Sequence, residues 1–508
     1  MDFTRKNVHH ILYLCCLLTL AAAIPLSNYV MSMGGIFLFS NWVFEGDYLT
    51  KWNRLKKNKL AWVLMLFFFV LLISFIHTDN WKEGFTQILS KLPFFYAPLV
   101  MATSDPLNEK EKNGVLYFFL IATFIGTMFG MVKWITNQYN DLRELSFFIS
   151  HIRFSICVLF AAVLSCYLAF KKRKYSLLFL IPALWFVSYL LISQTLTGII
   201  LGFILMIVLS IYWLRNHFQK WQIKLYMGLG VGIFLAFVGY LTYIVSDYYI
   251  VEQDFTKNLP AQTINGNPYT HQDNSIIENG SPVYQCVCEQ ELMTAWGQRS
   301  AIPYDENIKH TLIRFLNSKG CNKDSAAVAS LTNEEILLIE KGIANKDYVN
   351  KLGFKASIYP TLFGLSLYQK YGKTSQSSLF QRFELWRISW GLIQQNRWFG
   401  VGIGDHKAMI DKQIEIENSE MIYKKNMGCH NQFLTYWLCG GLIPVLYFLW
   451  MLLAPFFLRK KNISLLYLLF FCIIFFSLFM EDTFETQPGI TFYTFFNALL
   501  LFVLPKNK

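Results

Sequence analysis

Long apolar segments recur along the chain and constrain the fold more than any other feature. A helix that crosses the hydrocarbon core of a membrane needs about 20 mainly apolar residues, and these segments approach that length. Only 15% of the residues are charged, whereas a soluble domain carries about 25%. The sequence therefore predicts an all-α polytopic membrane protein with about twelve transmembrane helices. The predicted spans are residues 8–24, 29–44, 59–76, 85–103, 114–134, 152–170, 176–192, 194–214, 224–246, 431–456, 463–480 and 489–505.

The distribution of lysine and arginine predicts the orientation of these spans. Cations concentrate in alternate connections, such as "KWNRLKKNK", "KKRK" and "RKK", and cationic loops stay in the cytoplasm. Both termini are then cytoplasmic, and the first apolar segment is a retained helix because a second span follows it closely. In a bacterium the protein would lie in the inner membrane. The net charge of +12 mainly reports this topology, so we expect membrane lipid and no nucleic acid as a partner.

The same alternation divides the chain into three parts. Residues 1–246 hold spans one to nine, residues 247–430 form a large periplasmic segment, and residues 431–508 hold the last three spans. The periplasmic segment begins with a stretch rich in Asn, Pro, Gly and Ser, which predicts a loop. Helical patterns follow, first from about Asn307. Thr332 and Glu335 then have the spacing of a capping box.

A third helical pattern in this segment carries arginine and tryptophan. Its apolar positions Phe383, Trp386, Trp390 and Ile393 predict one apolar stripe. The segment also holds Cys286, Cys288, Cys321 and Cys429. Oxidation is possible outside the cytoplasm, so Cys286 or Cys288 pairs with one of the other two, or none pairs. A zinc site is disfavoured because no second ligand pair has metal spacing.

Cationic and glycine residues of the third pattern are candidate anion binders. Arg382 and Arg387 are about 140° apart around a helix, so they do not form a simple clamp. They either extend towards the membrane surface or, for Arg382, bind a phosphate group. The following "FGVGIGD" contains Gly402 and Gly404. It is a tight turn or an array of N–H groups for an anion, and turn geometry is favoured.

Titratable side chains cluster where predicted spans meet the periplasm. His430 and Asn431 stand where the chain re-enters the membrane, and an imidazole there is either an interfacial hydrogen-bonding group or a base. Glu481, Asp482 and Glu485 form a solvated loop or an acidic group that orients a histidine or a sugar. Two cations remain. Lys91 lies inside a predicted span, where it is a candidate functional residue or extends outward, and Arg153 begins span six.

The region from "RFELWRISWGLIQQNRWFGVGIGD" to "HNQFLTYWLCGGLIPVLYF" resembles the O-antigen ligase and Wzy-type O-antigen polymerase superfamily. In that family an Arg…Trp helix leads into a Pro-hydrophobic-Gly-x-Gly-x-Gly turn, and a His-Asn pair starts the next span. Two departures stand out. Arg397-Trp398 replaces the usual proline, and Leu196 occupies a position where many members have arginine. Arg153 or Arg387 is a candidate substitute for that cation.

The resemblance implies a GT-C-like membrane glycosyltransferase that uses no cofactor and needs no metal. Its donor would be an undecaprenyl-diphosphate-linked glycan, and its acceptor lipid A-core, a growing lipid-linked glycan or a protein hydroxyl. His430 and Arg382 are then the candidate catalytic residues. The candidate substrate-binding residues are Arg153, Arg387, Asn431, Trp386, Gly402, Gly404, Lys91, Glu481 and Glu485.

A transporter or flippase for lipid-linked glycans is the alternative from another functional class. Such proteins are often built from two related halves, and the sequence shows no internal repeat. Charged residues are also scarce within the predicted spans, whereas transport pathways commonly contain them. The patterns therefore favour an enzyme over a transporter.

Overall fold

The computed structural model describes residues 4–136, 138, 142–217, 220–250, 259–272, 276–349, 354–374, 378–459 and 463–504. The described structure is 76% helical, as the sequence predicted. Its chain divides into two compact units. The first unit comprises residues 1–216, 385–417 and 424–508, and the second comprises residues 217–384 and 418–423.

Helices form nearly all of the regular structure. The first eleven are α1 (Arg5–Leu26), α2 (Asn28–Glu45), α3 (Tyr48–Lys57), α4 (Lys59–Ile73), α5 (Trp81–Ser90), α6 (Pro93–Thr103), α7 (Glu109–Ile135), α8 (His151–Lys171), α9 (Ser176–Ile192), α10 (Leu196–His217) and α11 (Lys220–Tyr249). A two-stranded antiparallel hairpin follows, with β1 (Ile277–Glu278) and β2 (Ser281–Pro282). The remaining helices are α12 (Glu289–Arg299), α13 (Glu306–Ser318), α14 (Ser325–Ala329), α15 (Asn333–Glu340), α16 (Phe354–Tyr371), α17 (Ser378–Gln395), α18 (His406–Ile416), α19 (Gln432–Gly440), α20 (Leu442–Arg459), α21 (Leu465–Met480) and α22 (Gln487–Ala498).

Several of these helices are long and apolar enough to cross a membrane. Among the described residues there are five: α1, α7, α8, Arg173–Ile192 and α20. Four shorter apolar helices also correspond to predicted spans, and they cover Lys59–Ile73, Thr197–Tyr212, Leu465–Met480 and Gln487–Val503. A multi-pass membrane protein is thus supported, while the number of twelve spans stays a prediction.

Two of the predicted spans are each divided into two helices. Residues 85–103 are not one helix, because α5 ends at Ser90 and Pro93 begins α6; proline fits the first turn of a helix but not its interior. The predicted span 431–456 is interrupted at Gly441, where φ is +77° and an added Cβ would lie 2.0 Å from the Trp398 carbonyl oxygen. Only glycine fits such a conformation and such a close approach.

Aromatic packing in the first unit holds the turn between α21 and α22 in place. The ring of Phe484 lies 5.5 Å from Phe94 of α6 and 5.9 Å from Phe448 of α20. Phe67 of α4 contacts the same two rings at 5.0 and 5.4 Å. Three of these four pairs are edge-to-face and the Phe67–Phe448 pair is stacked; such contacts stabilise by roughly 0.5–1.5 kcal/mol each beyond burial. The turn is therefore part of the core.

The second unit has a separate apolar core around the fully buried Trp296. The capping box of Thr332 and Glu335 is confirmed at the start of α15, and α13 ends before Gly320, whose φ is +73°. All ten cysteines are free in this structure. Of the alternatives predicted for Cys286, Cys288, Cys321 and Cys429, the structure therefore shows the unpaired one.

Candidate active site

His430 lies immediately before α19 in a left-handed conformation with φ of +49°. Its carbonyl oxygen accepts a hydrogen bond from Trp386 Nε1 of α17 at 3.3 Å, and its Nδ1 lies 3.2 Å from Glu481 Oε2. Because an ionised carboxylate can only accept hydrogen bonds, Nδ1 carries the hydrogen in the neutral imidazole and Nε2 carries the lone pair. This is the orientation that a general base requires.

The acidic turn after α21 is buried rather than solvated. Glu481 and Asp482 are 1% and 7% exposed, so the alternative of a solvated loop is wrong and that of an acidic group beside a histidine agrees with the geometry. An added Cβ on Gly428 would lie only 2.2 Å from Asp482 Oδ2. Glycine at this position therefore permits the close approach of the chain that carries His430.

Arg153 brings a cation to the same turn from the start of α8. Its Nη2 lies 3.8 Å from Asp482 Oδ1, and its Nη1 donates to Ser150 Oγ at 3.1 Å. The side chain is 16% exposed. The site thus combines an imidazole, two carboxylates and a guanidinium within the first unit.

One group of side chains has the geometry of a metal site. The nearest ligand atoms of His430, Glu481 and Asp482 all lie within 4.8 Å of one another, and imidazole and carboxylate groups bind divalent cations. A metal at this position would have to compete with Arg153 for Asp482, and with the imidazole hydrogen for Glu481.

A buried ion pair fixes the other end of the acidic turn. Lys91 Nζ lies 2.9 Å from Glu485 Oε1 and donates to the Phe484 carbonyl at 2.5 Å. Gln432 Nε2 donates to the same Glu485 oxygen at 3.0 Å, and the Phe484 N–H donates to Gln432 Oε1 at 2.7 Å. Burial would raise the pKa of Glu485, but the Lys91 ammonium offsets it and the pKa lies below its usual value.

Lys91 has none of its surface exposed. It therefore does not extend outward to solvent, as one interpretation of the sequence suggested. Its two bonds tie the break between α5 and α6 to the turn that carries Glu481. Lys91 and Glu485, both candidates for substrate binding, thus have protein partners in this arrangement.

Asn431 and Arg387 also have partners within the first unit. Asn431 is the N-cap of α19, where its side-chain oxygen accepts from the N–H groups of Phe433 and Leu434 at 3.0 and 3.2 Å. Arg387 forms an ion pair with Glu417, and its side chain is 53% exposed. Hydrogen bonding from Gln413 and the Arg387 guanidinium lower the pKa of Glu417.

The glycine-rich turn joins three segments of the first unit. Gly402 N donates to the Cys439 carbonyl at 3.0 Å, Gly404 N donates to Thr78 Oγ1 at 3.3 Å, and the Asp405 carboxylate accepts from two N–H groups after α4. These N–H groups are therefore used within the protein. The favoured interpretation of the motif, a tight turn, agrees with the geometry better than an anion-binding array does.

The helix that carries Arg382 packs differently from its predicted stripe. Phe383 and Trp390 are 40% and 44% exposed, whereas Leu385 and Ile388 are almost fully buried. The 3.6-residue period alone did not separate these two faces, because aromatic residues occur on both. Arg382 itself is half-buried and lies in the second unit. The side chain of Leu196 lies outside the described part of the chain.

Two buried residues of the site were missed from the sequence. Gln432 directly follows the His430–Asn431 pair, and an amide at the start of a predicted span was a usable signal. His406 begins α18, is 1% exposed and contacts the Ile403 carbonyl through Nδ1 at 2.9 Å. Burial lowers the pKa of His406. Nothing in its local sequence indicated that it would be enclosed.

Comparison with known proteins supports the resemblance found in the sequence. Residues 340–449 match the family model described as O-antigen ligase, so this region is identified as an O-antigen ligase domain and the predicted resemblance is confirmed over these residues. The match includes α17, the glycine-rich turn, His430 and α19. A search of the curated proteins gave no match to the chain.

Proposed function

We propose that this protein transfers a glycan from an undecaprenyl-diphosphate carrier to an acceptor hydroxyl at the periplasmic face of the bacterial inner membrane. The main support is the contact between Glu481 and His430, which itself lies in the matched O-antigen ligase region, residues 340–449. The acceptor is lipid A-core for a ligase or a lipid-linked glycan for a polymerase. The proposal also includes a GT-C-like fold, twelve membrane spans and a periplasmic position of the site.

His430 serves as the general base in the proposed reaction. The acceptor oxygen attacks the anomeric carbon and its proton passes to Nε2 of the imidazole, while the bond from that carbon to the diphosphate oxygen breaks. The buried Glu481 carboxylate then stabilises the imidazolium that forms. Trp386 holds the His430 backbone and Asn431 caps the following helix, so both position the imidazole.

Guanidinium groups stabilise the leaving diphosphate. We infer that Arg153 substitutes for the family arginine replaced by Leu196, because its guanidinium reaches the turn that carries Glu481, whereas that of Arg387 pairs with Glu417. Arg382, in the second unit, is the candidate for a further two-pronged contact with a phosphate group. A diphosphate is a good leaving group, so the reaction proceeds without a metal.

The test is in vitro transfer with purified protein in lipid nanodiscs, a lipid-linked donor and two competing acceptors. His430→Ala should abolish transfer, while His10→Ala, which lies on α1 and contacts Glu111, should leave it unchanged. Arg382→Ala should reduce transfer by roughly 100-fold, and Arg382→Lys should restore little of it. Wild-type transfer by His430→Ala would remove the base from the mechanism.

The same assay separates the remaining possibilities. The acceptor that becomes glycosylated distinguishes a ligase from a polymerase. A flippase would move the donor across a proteoliposome membrane and form no new glycosidic bond. Transfer should persist after treatment with a chelator, whereas activity that returns only with added divalent cations would assign the His430, Glu481 and Asp482 cluster to a metal.

A further inference from the structure

A cleft in the second unit carries side chains that the proposed transfer chemistry does not use. Its volume is about 340 Å³, and small-molecule pockets occupy roughly 300–1,000 Å³. The lining includes two tyrosines, two lysines, a histidine and a glutamate: Tyr284, Tyr371, Lys309, Lys373, His310 and Glu289. The cleft is therefore large enough for a sugar ring, and its lining offers polar groups beside apolar surface.

Hydrogen bonds fix the polar groups along one side of the cleft. The Tyr284 hydroxyl lies 2.9 Å from His310 Nδ1, and Lys309 Nζ lies 2.6 Å from Glu289 Oε1. Glu306 lies 3.6 Å from Lys309. Donors and acceptors held side by side in this way suit the hydroxyl groups of a saccharide, each of which both donates and accepts.

Tyr371 and Lys373 add an aromatic face and a cation to the lining. Tyr371 ends α16 and is 50% exposed, and Lys373 follows it in the chain. Within the described residues, no carboxylate lies within ion-pair distance of Lys373. Burial and the nearby lysines lower the pKa of His310, so at neutral pH its imidazole is mainly uncharged and Lys373 is the available positive charge.

We propose that this cleft binds a saccharide that carries one acidic substituent, either a carboxylate or a phosphate. Lys373 pairs with the acidic group, Tyr371 packs against the sugar ring, and Glu289, Lys309 and His310 contact its hydroxyl groups. The inference rests on the proposed function, because it assigns the cleft to a glycan of the transfer reaction. It adds a second binding site, formed by residues other than those that surround His430.

Binding to the full-length protein in nanodiscs tests the proposal. The probes are galacturonic acid, its uncharged counterpart galactose and galactose 6-phosphate, titrated by calorimetry. The carboxylate or the phosphate probe should bind, and galactose should bind at least 10-fold more weakly. The preferred acidic probe identifies which of the two substituents the cleft accepts.

Variants locate the binding. Lys373→Ala and Tyr371→Ala should each weaken binding by about 10-fold or more, whereas Lys341→Ala, an exposed lysine of the same unit, should not change it. His430→Ala should lose transfer and keep saccharide binding. Absence of binding by every probe, or equal binding by Lys373→Ala, would overturn the inference while leaving the transfer proposal intact. If His430→Ala retained transfer and bound the saccharide normally, the transfer proposal would be overturned and the inference about the cleft would stand.

Discussion

Replacement of Glu481 is the most direct perturbation of the proposed base. Its carboxylate is almost fully buried and lies 3.2 Å from His430 Nδ1. A hydrogen bond to a charged group contributes roughly 1.5–3 kcal/mol. If the imidazole becomes charged in the transition state, loss of that contribution lowers kcat by roughly 10- to 150-fold.

Two substitutions of Glu481 should differ in how far they lower kcat. Glu481→Gln keeps an acceptor oxygen but removes the charge, so kcat should fall towards the smaller end of that range with little change in KM. Glu481→Ala also removes the orientation of the imidazole and should reach the larger end. Steady-state transfer kinetics in nanodiscs measure both effects, with Glu415→Gln, which removes an exposed carboxylate of the same unit, as the matched control.

Thermal unfolding of each Glu481 variant separates a loss of catalysis from a loss of stability. A folded Glu481→Ala protein with wild-type kcat would refute the assignment of Glu481 as the partner of the base.

Three further predictions concern stability. Lys91→Met should destabilise the protein by roughly 3–5 kcal/mol because it leaves Glu485 buried and charged, and a Lys91→Met/Glu485→Leu double variant should recover most of that loss in thermal unfolding. Gly402→Ala should lower the melting temperature, since φ is +97° and an added Cβ would lie 2.8 Å from backbone atoms; Gly391→Ala, where nothing lies within 4 Å, should instead stabilise by roughly 0.5–1 kcal/mol. Hydrogen bonds from Ser325, Thr263 and Asn267 outweigh burial and lower the pKa of Glu291 from 4.5 to about 2. Its stabilising contribution is therefore present above pH 4.5 and is lost as pH falls towards 2. Hydrogen exchange should show that Glu291→Gln lowers the protection of backbone amides in residues 259–349 near neutral pH. In acid, the variant and the wild-type protein should differ less.

Local patterns in the sequence determined the helical membrane character, the capping box and the family. A run of apolar residues and the Arg…Trp, Gly-x-Gly-x-Gly and His-Asn motifs are all read within short windows, because helix formation and turn geometry depend on neighbours a few positions apart. The candidate base and its acidic partner were also visible as residue types.

Only the tertiary structure decided which of these groups meet. The Lys91 ammonium bonds to Phe484, which is 393 positions away, and the acidic turn is buried by aromatic rings from α6 and α20. Likewise, the glycine turn is closed by carbonyl and hydroxyl groups of α19 and of the segment after α4. Such contacts depend on how distant segments pack together, and the spacing of residues along the chain carries no record of that packing.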